Sequence, residues 1–416
     1  MPENLSMTDK GQIHFAVTSQ ADNTPIPDAT VSISSPSDPS IILEQVKTDS
    51  SGMSEDVDLA APPVEYSMSL GDVQPYSDYN LNITAPGFEN VSISGIQILS
   101  GQDSLSKISM RPIRSERDVA DPLVIGGHTL WELYPPKIAE NEIKTVAETG
   151  EIVLSRVVIP ETIIVHAGPP SDASAANYYV PYKDYIKNVA SSEIYATWPE
   201  ATIIANVLAI MSFTLNRVYT EWYRNKGFDF TITASTAYDQ FFVYGRNVYD
   251  SISQVVDTIF TNFLSRPDVS QPILTQYCDG KRTTCPNWLS QWGSKELGDK
   301  GYTPLEIIQY YYGDDMYINS AEQISGIPAS WPGTNLTIGS RGDKVRQMQE
   351  QLTRISQNYP AIPPATPDGI FGENTRRSVE KFQEVFGLPA TGIVDYPTWY
   401  KISEIYVAVS RIAELN

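Results

Sequence analysis

Residues 339–349 read GSRGDKVRQMQ, and three related stretches follow: DGIFG at 368–372, EKFQ at 380–383 and TGIVD at 391–395. The triplets at 368–370 and 391–393 are similar, and a helical pattern follows each of them, which indicates a short internal duplication. Glycine in each turn permits backbone conformations that other residues rarely adopt. Apolar residues at helical spacing supply a core, namely Val345, Leu352, Val379 and Phe382. These patterns predict a small three-helix unit at residues 333–416.

This C-terminal unit resembles the peptidoglycan-binding module found on many cell-wall hydrolases, and the matching residues run through the whole unit in the same order. The resemblance implies that the glycan strands of peptidoglycan are a partner. A module of this kind raises the effective concentration of a protein on an insoluble substrate.

The middle of the chain, residues 151–332, has mixed strand and helix patterns. Residues 152–158 and 162–166 read as strands, and residues 182–191 read as a helix. The sequence TWPE at 197–200 predicts a capping box, with Thr197 and Glu200 opening a second helix. A third helix is expected near 248–264, and a fourth opens with a capping box at Thr303.

Two stretches of this region carry a resemblance. Residues 180–195 read VPYKDYIKNVASSEIY, and residues 289–294 read LSQWGS. Both resemble the stage II sporulation protein D (SpoIID/LytB) family, whose members are lytic transglycosylases of peptidoglycan or enhancers of wall amidases. The resemblance implies a SpoIID-like α+β catalytic domain with Glu193 as the catalytic acid. It implies a substrate groove lined by Ser290, Gln291, Trp292 and Gly293, to which Gln240, Tyr185 and Trp198 are added as candidates.

Some members of that family bind zinc through a Cys and a His beside the groove. The matching residues here, 235–240, read STAYDQ and contain neither. We therefore expect no metal and no other cofactor.

A lytic transglycosylase needs one carboxyl group where most glycosidases need two. The acid protonates the glycosidic oxygen, and the sugar's own C6 hydroxyl then attacks C1, so no water has to be positioned. Such an acid must stay protonated near neutral pH, and an apolar wall raises its pKa. Ile194, Tyr195, Trp198 and Trp292 are the expected wall of Glu193. Glu200 is the rival carboxyl, but the capping box already accounts for it.

Residues 1–112 predict an antiparallel β-sandwich. Apolar residues alternate at Ile13, Phe15 and Val17, and again at Leu81 and Ile83, with turn residues between the runs. The sequences TPIPDATVSI at 24–33 and TDSSG at 48–52 resemble the carboxypeptidase-regulatory-like (prealbumin-like) module. Modules of that kind carry many functions or none.

Residues 113–150 predict a linker, because glycines at 126–127 and prolines at 135–136 interrupt regular structure. The order of all four parts resembles the clostridial spore cortex-lytic enzymes of the SleC type. That resemblance implies a zymogen made in the mother cell, stored in the coat and cortex region of the spore and activated at germination. A subtilisin-like protease would cut the linker near Ala139 and Glu140.

Composition disfavours two classes of binding partner. The chain has 29 Lys and Arg against 50 Asp and Glu, a net charge of −21, which disfavours nucleic acid and anionic membrane surfaces as partners. Its start reads MPENLSMTDK, which lacks the basic and apolar segments of a secretory signal. The apolar run at 201–215 is too short and too polar for a membrane span.

Three alternatives stay open at this point. Cys278 and Cys285 form either a disulfide or a pair of reduced thiols, and a metal site there would need further ligands. The middle domain could enhance a wall amidase without catalysis of its own. It could also be a hydrolytic muramidase that leaves reducing ends.

Overall fold

The computed structural model describes residues 9–113, 122–144, 156–321, 323–324, 332 and 334–410. The N-terminal elements are β1 (Asp9–Ser19), β2 (Thr30–Ser35), β3 (Asp38–Lys47), β4 (Val57–Ala61), α1 (Glu65–Met68), β5 (Ser77–Thr84), β6 (Val91–Ile98), β7 (Asp103–Met110) and β8 (Leu123–Val124).

The central elements are β9 (Val158–Ile159), β10 (Thr162–His166), β11 (Asn177–Pro181), α2 (Tyr182–Glu193), α3 (Glu200–Tyr219), β12 (Ile232–Thr233), β13 (Val248–Tyr249), α4 (Asp250–Ile259), β14 (Asn262–Ser265), β15 (Tyr277–Cys278), β16 (Leu289–Ser290), α5 (Gln291–Asp299), α6 (Pro304–Tyr312), β17 (Tyr317–Ser320) and β18 (Gln323–Ile324). The C-terminal helices are α7 (Asp343–Asn358), α8 (Glu373–Val385) and α9 (Tyr396–Ser410).

Two sheets pack face to face in the N-terminal part, with strand orders β13-β7-β1-β4 and β3-β2-β5-β6-β8. Every second residue of β1 is buried from Gly11 onward, so Ile13, Phe15 and Val17 face the core between the sheets, as their alternation predicts. The predicted all-antiparallel pairing is wrong in two places, because β1 pairs with β7 in parallel and β6 pairs with β8 in parallel.

Both sheets of the sandwich take a strand from outside residues 1–112. In β13, Val248 and Tyr249 pair with Leu105 and Ser104 of β7, and β8 pairs with β6. Asn247, just before β13, donates from Nδ2 to the Gln97 carbonyl at 2.8 Å. The sandwich and the central region are therefore joined by backbone hydrogen bonds as well as by side-chain packing.

Helix α3 is the centre of the middle region and is buried on nearly every side. It passes the length and hydropathy test for a membrane span, but 83% of its most apolar window lies inside the protein. Its apolar character is thus explained by burial among α2, α4, α5 and α6.

The predicted capping box at Thr197 and Glu200 is wrong. The residue before α3 is Pro199, and no side chain caps the helix. The Thr197 hydroxyl instead lies 2.8 Å from that of Ser67 in the sandwich region. The capping box at Thr303 is confirmed, with Glu306 completing it. The third predicted helix is shorter than expected, since only Asp250–Ile259 is helical.

The C-terminal unit confirms the duplication read from its sequence. Gln349 of α7 accepts a hydrogen bond from the Gly369 N–H at 2.8 Å and donates to the Ile370 carbonyl at 3.0 Å. Gln383 of α8 holds the second turn in the same way, through Gly392 at 2.8 Å and Ile393 at 2.9 Å. Each buried glutamine therefore fixes the turn that leads into the following helix.

This unit packs directly against the middle region. The ring centroids of Tyr396 and Tyr400 in α9 lie 5.7 and 5.2 Å from that of Phe260. Beside them is a buried group of charges that we call the ion cluster, consisting of Lys183, Lys187, Asp257, Lys401 and Glu404. Lys183 bridges the two units, because its Nζ lies 3.1 Å from Asp257 and 3.0 Å from Glu404.

Candidate active site

Glu193 is the last residue of α2 and its side chain points into the protein, with 4% of the residue exposed. Its Oε1 accepts a hydrogen bond from the Phe241 backbone N–H at 2.7 Å, and its Oε2 accepts one from the Tyr277 hydroxyl at 2.6 Å. These two donors come from separate parts of the middle region, a loop at Phe241 and strand β15 at Tyr277. They fix the carboxyl in one orientation.

Burial raises the pKa of Glu193 above its ordinary value. Three groups act in the opposite direction, namely the Lys137 ammonium, the Tyr277 hydroxyl and the Phe241 N–H. Because the desolvation effect is the largest, the carboxyl holds its proton to a higher pH than an exposed glutamate does. A general acid needs this property.

The aromatic residues of the predicted apolar wall pack against one another, while their contact with the Glu193 carboxyl stays a prediction. Trp198 and Trp292 lie with ring centroids 5.1 Å apart, and Tyr195 contacts both, at 5.8 and 6.1 Å. Trp198 also donates from Nε1 to the Ser67 carbonyl at 2.9 Å. The sandwich region thus covers Trp198, which has 3% of its surface exposed in the intact chain.

A pocket opens beside Glu193 and is lined from two sources. The middle region contributes Gln291, Thr236, Tyr277 and the loop 278–283. The other side is formed by residues 132–137, which belong to the region predicted as a linker. The remaining space is about 80 Å³, well below the roughly 300 Å³ at which ligand pockets for small organic molecules begin.

We call residues 132–144 the strap. Residues 132–137 line this pocket, and residues 138–144 continue along the middle region without helix or strand. Lys137 donates from Nζ to the Asp239 carbonyl, and its charge lies over the rings of Phe213 and Tyr277 at 4.9 and 4.7 Å. Next along the strap, the Ile138 N–H donates to the Ala237 carbonyl at 2.7 Å. The strap therefore reaches the immediate surroundings of Glu193.

Glu140, at the predicted cleavage position, is held by charge. Glu140 forms ion pairs with Arg217 and with Lys144. Arg217 is fully buried and also pairs with Asp239 at 2.7 Å. Ala139 beside Glu140 is exposed. The described part of the linker is thus anchored on the middle region, and the domain boundaries at 112, 150 and 332 stay predictions.

The motif at 290–293 lies at the start of α5. Ser290 caps the helix by accepting the Gly293 N–H at 3.0 Å, and Gln291 donates from Nε2 to the Glu193 carbonyl at 3.1 Å. A Cβ at Gly293 would lie 2.1 Å from the Tyr311 hydroxyl, which explains the glycine. Of the four predicted groove residues, Gln291 lies in the pocket lining, and Trp292 packs against Tyr195 and Trp198.

Tyr185 and Gln240 lie behind the acid and are fully buried. The Tyr185 hydroxyl donates to Gln240 Oε1 at 2.9 Å, and Gln240 donates from Nε2 to the Ile210 carbonyl at 3.0 Å. Gln240 also acts on the Tyr277 hydroxyl. Gln240 therefore supports Tyr277, which donates to Glu193. Direct contact of Tyr185 or Gln240 with substrate stays a prediction.

Cys278 and Cys285 are joined by a disulfide, which settles the choice between bonded and reduced thiols in this structure. The closed loop contains Asp279, whose two carboxylate oxygens accept the N–H groups of Arg282 and Thr283, each at 2.8 Å. The loop is therefore rigidly folded where it borders the pocket.

Sequence reasoning missed Tyr277, the Phe241 N–H, Lys137 and Gln276. Tyr277 lies next to Cys278, so the cysteine pair was a usable signal for that part of the site. The backbone N–H of Phe241 carries no sequence signal at all. Lys137 and Gln276 act through contacts between the strap and the middle region, which no local pattern reveals.

Comparison with known proteins identifies one part of the chain. Residues 341–402 match the family described as putative peptidoglycan binding domain. The chain is also similar to the zinc D-Ala-D-Ala carboxypeptidase of Streptomyces albus G, with 38% identity over 77 residues, which are 18% of this chain and 28% of that enzyme. The chain thus spans less than a third of that relative's length.

Two solved structures also match parts of the chain. The N-terminal domain of SleB is 26% identical, covering 18% of this chain and 99% of that chain with a TM-score of 0.16. The Bacillus anthracis TIE protein is 10% identical, covering 25% of this chain and 17% of that chain with a TM-score of 0.18. Similarities at this level identify no fold, so the prealbumin-like and SpoIID-like assignments stay predictions. The chain is a mixed α+β multidomain protein with a C-terminal helical peptidoglycan-binding domain, and its function is associated with the cell wall.

Proposed function

We propose that this chain is a spore cortex-lytic enzyme, a lytic transglycosylase that cleaves the bond between N-acetylmuramic acid and N-acetylglucosamine during germination. The observation that carries the proposal is the buried Glu193 carboxyl, oriented by Tyr277 and the Phe241 N–H at the edge of a pocket. The peptidoglycan-binding domain supplies the substrate class.

In the proposed reaction, protonated Glu193 gives its proton to the glycosidic oxygen, and the bond from that oxygen to C1 of the muramyl sugar breaks. Positive charge develops at C1. The Glu193 carboxylate then takes the proton of the C6 hydroxyl on the same sugar, and that oxygen bonds to C1. The products are a glycan with a free 4-hydroxyl and a 1,6-anhydro-muramyl end, and Glu193 is protonated again.

The pocket supports a mechanism with one acid. Its other carboxyl from the middle region, Asp279, is occupied by two backbone N–H groups of its own loop. Glu132 belongs to the strap. Among the middle-region carboxyls that line this pocket, Glu193 is therefore the one that does not form part of a turn. A second carboxyl is not needed, because the nucleophile is a hydroxyl of the substrate itself.

The intact chain is proposed to be the zymogen. The strap fills the space that a sugar would need beside Glu193, and a subtilisin-like protease cutting near Ala139 and Glu140 would separate its residues 132–139 from the part of the chain that follows. Synthesis in the mother cell and storage at the spore coat and cortex complete this proposal. The exposed Ala139 is consistent with access for a protease.

The test is mass spectrometry of soluble fragments from purified spore cortex, treated with the full chain before and after limited digestion with subtilisin. We expect anhydro-muramyl ends after digestion only. Glu193→Gln should reduce their rate of formation by about 10²–10⁴-fold. Glu200→Gln, which changes an exposed carboxyl seven residues away, is the matched control and should keep full activity.

Other outcomes would redirect the proposal. Reducing muramyl ends would make the protein a hydrolytic muramidase. Fragments released equally by the Glu193→Gln variant would exclude Glu193 as the acid. Absence of fragments, together with faster release of stem peptides by an added wall amidase, would favour a non-catalytic enhancer.

A further inference from the structure

The side chain of Gln276 is buried, with 1% of the residue exposed, and it holds the strap by both ends of its amide. Its Oε1 accepts the Glu140 N–H at 2.8 Å, and its Nε2 donates to the Ile138 carbonyl at 2.7 Å. Both of these partners of the side-chain amide therefore belong to the strap. The side-chain amide of Gln276 thus binds one backbone N–H and one backbone carbonyl of the strap.

The same pattern continues along the strap. The Leu274 N–H donates to the Glu142 carbonyl at 3.0 Å. Gln271 then accepts the Lys144 N–H at 2.9 Å and donates to the Lys144 carbonyl at 2.8 Å. Contacts recur at about every second strap residue, as when an extended chain is added to a sheet edge. Residues 271–276 thus form a row of amide-binding groups.

Gln240 shows that this arrangement is not a general feature of the buried glutamines. Its amide is paired with Tyr185, Thr214 and Ile210, which all belong to the middle region. Gln240 keeps its partners when the strap leaves. A cut near Ala139 and Glu140 would separate the Ile138 carbonyl from Gln276, and residues 140–144, then a free chain end, would have to leave the row before a ligand enters it. The vacated row then offers its donors and acceptors to a ligand that brings amides of its own.

The row is connected to the pocket through the strap, because Ile138, which Gln276 binds, directly follows Lys137 of the pocket lining. Gln276 directly precedes Tyr277, whose hydroxyl contacts Glu193. We infer that Gln276, supported by the Leu274 N–H and Gln271, is a subsite for secondary amide groups of the substrate, and that the strap occupies this subsite in the intact chain. The inference rests on the proposed function for the identity of the substrate. Peptidoglycan offers secondary amides from two sources, the N-acetyl groups of its sugars and its stem peptides.

The experiment measures binding and needs no bond cleavage. In the full chain, Ile138→Pro and Glu140→Pro together remove the strap N–H groups that pair with Ala237 and Gln276. Calorimetry on this unstrapped chain would compare an N-acetylglucosamine tetramer, a glucosamine tetramer without acyl groups, and the dipeptide L-alanyl-D-glutamate. Tighter binding of the acetylated sugar or of the dipeptide identifies the source of the amide.

In the unstrapped background, Gln276→Leu should weaken binding of the preferred amide probe about tenfold, the equivalent of roughly 1.4 kcal/mol, and abolish the preference over the glucosamine tetramer. Gln254→Leu, an exposed glutamine on α4, is the matched control. Gln276→Asn keeps the amide group but withdraws it from the strap site, because its side chain is shorter. This variant replaces Gln276→Leu in the measurement if the leucine variant does not fold. Equal binding by parent and Gln276 variants, or binding of no probe by the parent, would overturn the inference.

This result is independent of the test of Glu193. Loss of cleavage in Glu193→Gln with unchanged tetramer binding would support the transglycosylase and leave the subsite intact. Normal cleavage with no effect of Gln276 on binding would remove the subsite alone.

Discussion

The Tyr277 hydroxyl donates a 2.6 Å hydrogen bond to Oε2 of Glu193, although the two residues are 84 positions apart in the chain. This contact lowers the pKa of Glu193 against the larger effect of burial. The tyrosine therefore sets how strongly the acid holds its proton, and it also fixes the direction in which the carboxyl points.

Tyr277→Phe should raise the pKa of Glu193 further, because the hydrogen bond to the ionised carboxyl is lost. Activity that requires the protonated acid falls as pH rises through its pKa, so the alkaline limb of the pH–rate profile should move to higher pH. The rate at the optimum should fall about tenfold, since a hydrogen bond to a charged group contributes roughly 1.5–3 kcal/mol. Tyr310→Phe, at an exposed tyrosine, is the control. An unmoved profile would contradict this role.

Lys137→Met tests the electrostatic contribution of the strap. The ammonium lowers the pKa of Glu193 in the intact chain, so its removal should raise that pKa. NMR titration of the Glu193 side chain with carbon-13 label measures the change directly. Loss of two cation–π contacts should also cost about 1–2 kcal/mol and speed cutting of the strap by subtilisin. Lys300→Met, at an exposed lysine, should change neither quantity.

The ion cluster predicts that the middle region and the C-terminal unit separate in acid. Burial alone would raise the pKa of Asp257, but Lys183 and Lys187 more than offset it and hold the pKa well below the ordinary value. The pKa of Glu404 is lowered as well, because burial is again outweighed by Lys183 and Lys401. The stability from these carboxylates is present above their unfolded values of about 4 and is lost as pH falls below them.

Asp257→Asn removes one partner of this buried cluster and should cost about 3–5 kcal/mol in the free energy of unfolding. Thermal melts between pH 3 and 7 would show the loss at neutral pH and a flatter acid dependence. Lys281→Met breaks an exposed pair with Glu296 and should change stability by at most about 1 kcal/mol. Comparable melting of the two variants would refute the assignment of the cluster as an interface element.

Local patterns predicted much of the fold. Alternation identified β1, helical spacing identified α2 to within two residues, and the repeated triplets identified the C-terminal turns that Gln349 and Gln383 hold. These features depend on residues close together in the chain.

The remainder depends on distant partners. Thr197 failed as a cap because the Ser67 hydroxyl, 130 positions away, takes its hydrogen bond. Gln276 meets Glu140 across 136 positions, and Lys137 reaches Asp239 across 102. Glu193 was found only because its surrounding motif resembles a known family. Its burial and its two donors could not be inferred from spacing.

The strand β13 has a consequence for timing. Val248 and Tyr249 extend a sandwich sheet by pairing with Leu105 and Ser104. A cut at one bond in the strap would therefore leave the parts of the chain before and after the cut joined by this strand pairing. If activation proceeds as proposed, departure of the N-terminal half requires a second event, in which a sheet edge opens and the Trp198 indole loses its carbonyl partner. Under the proposed activation, the sheet edge would therefore set the delay between the cut and the exposure of the site. Changes at this edge would shorten or lengthen the delay without altering the catalytic residues.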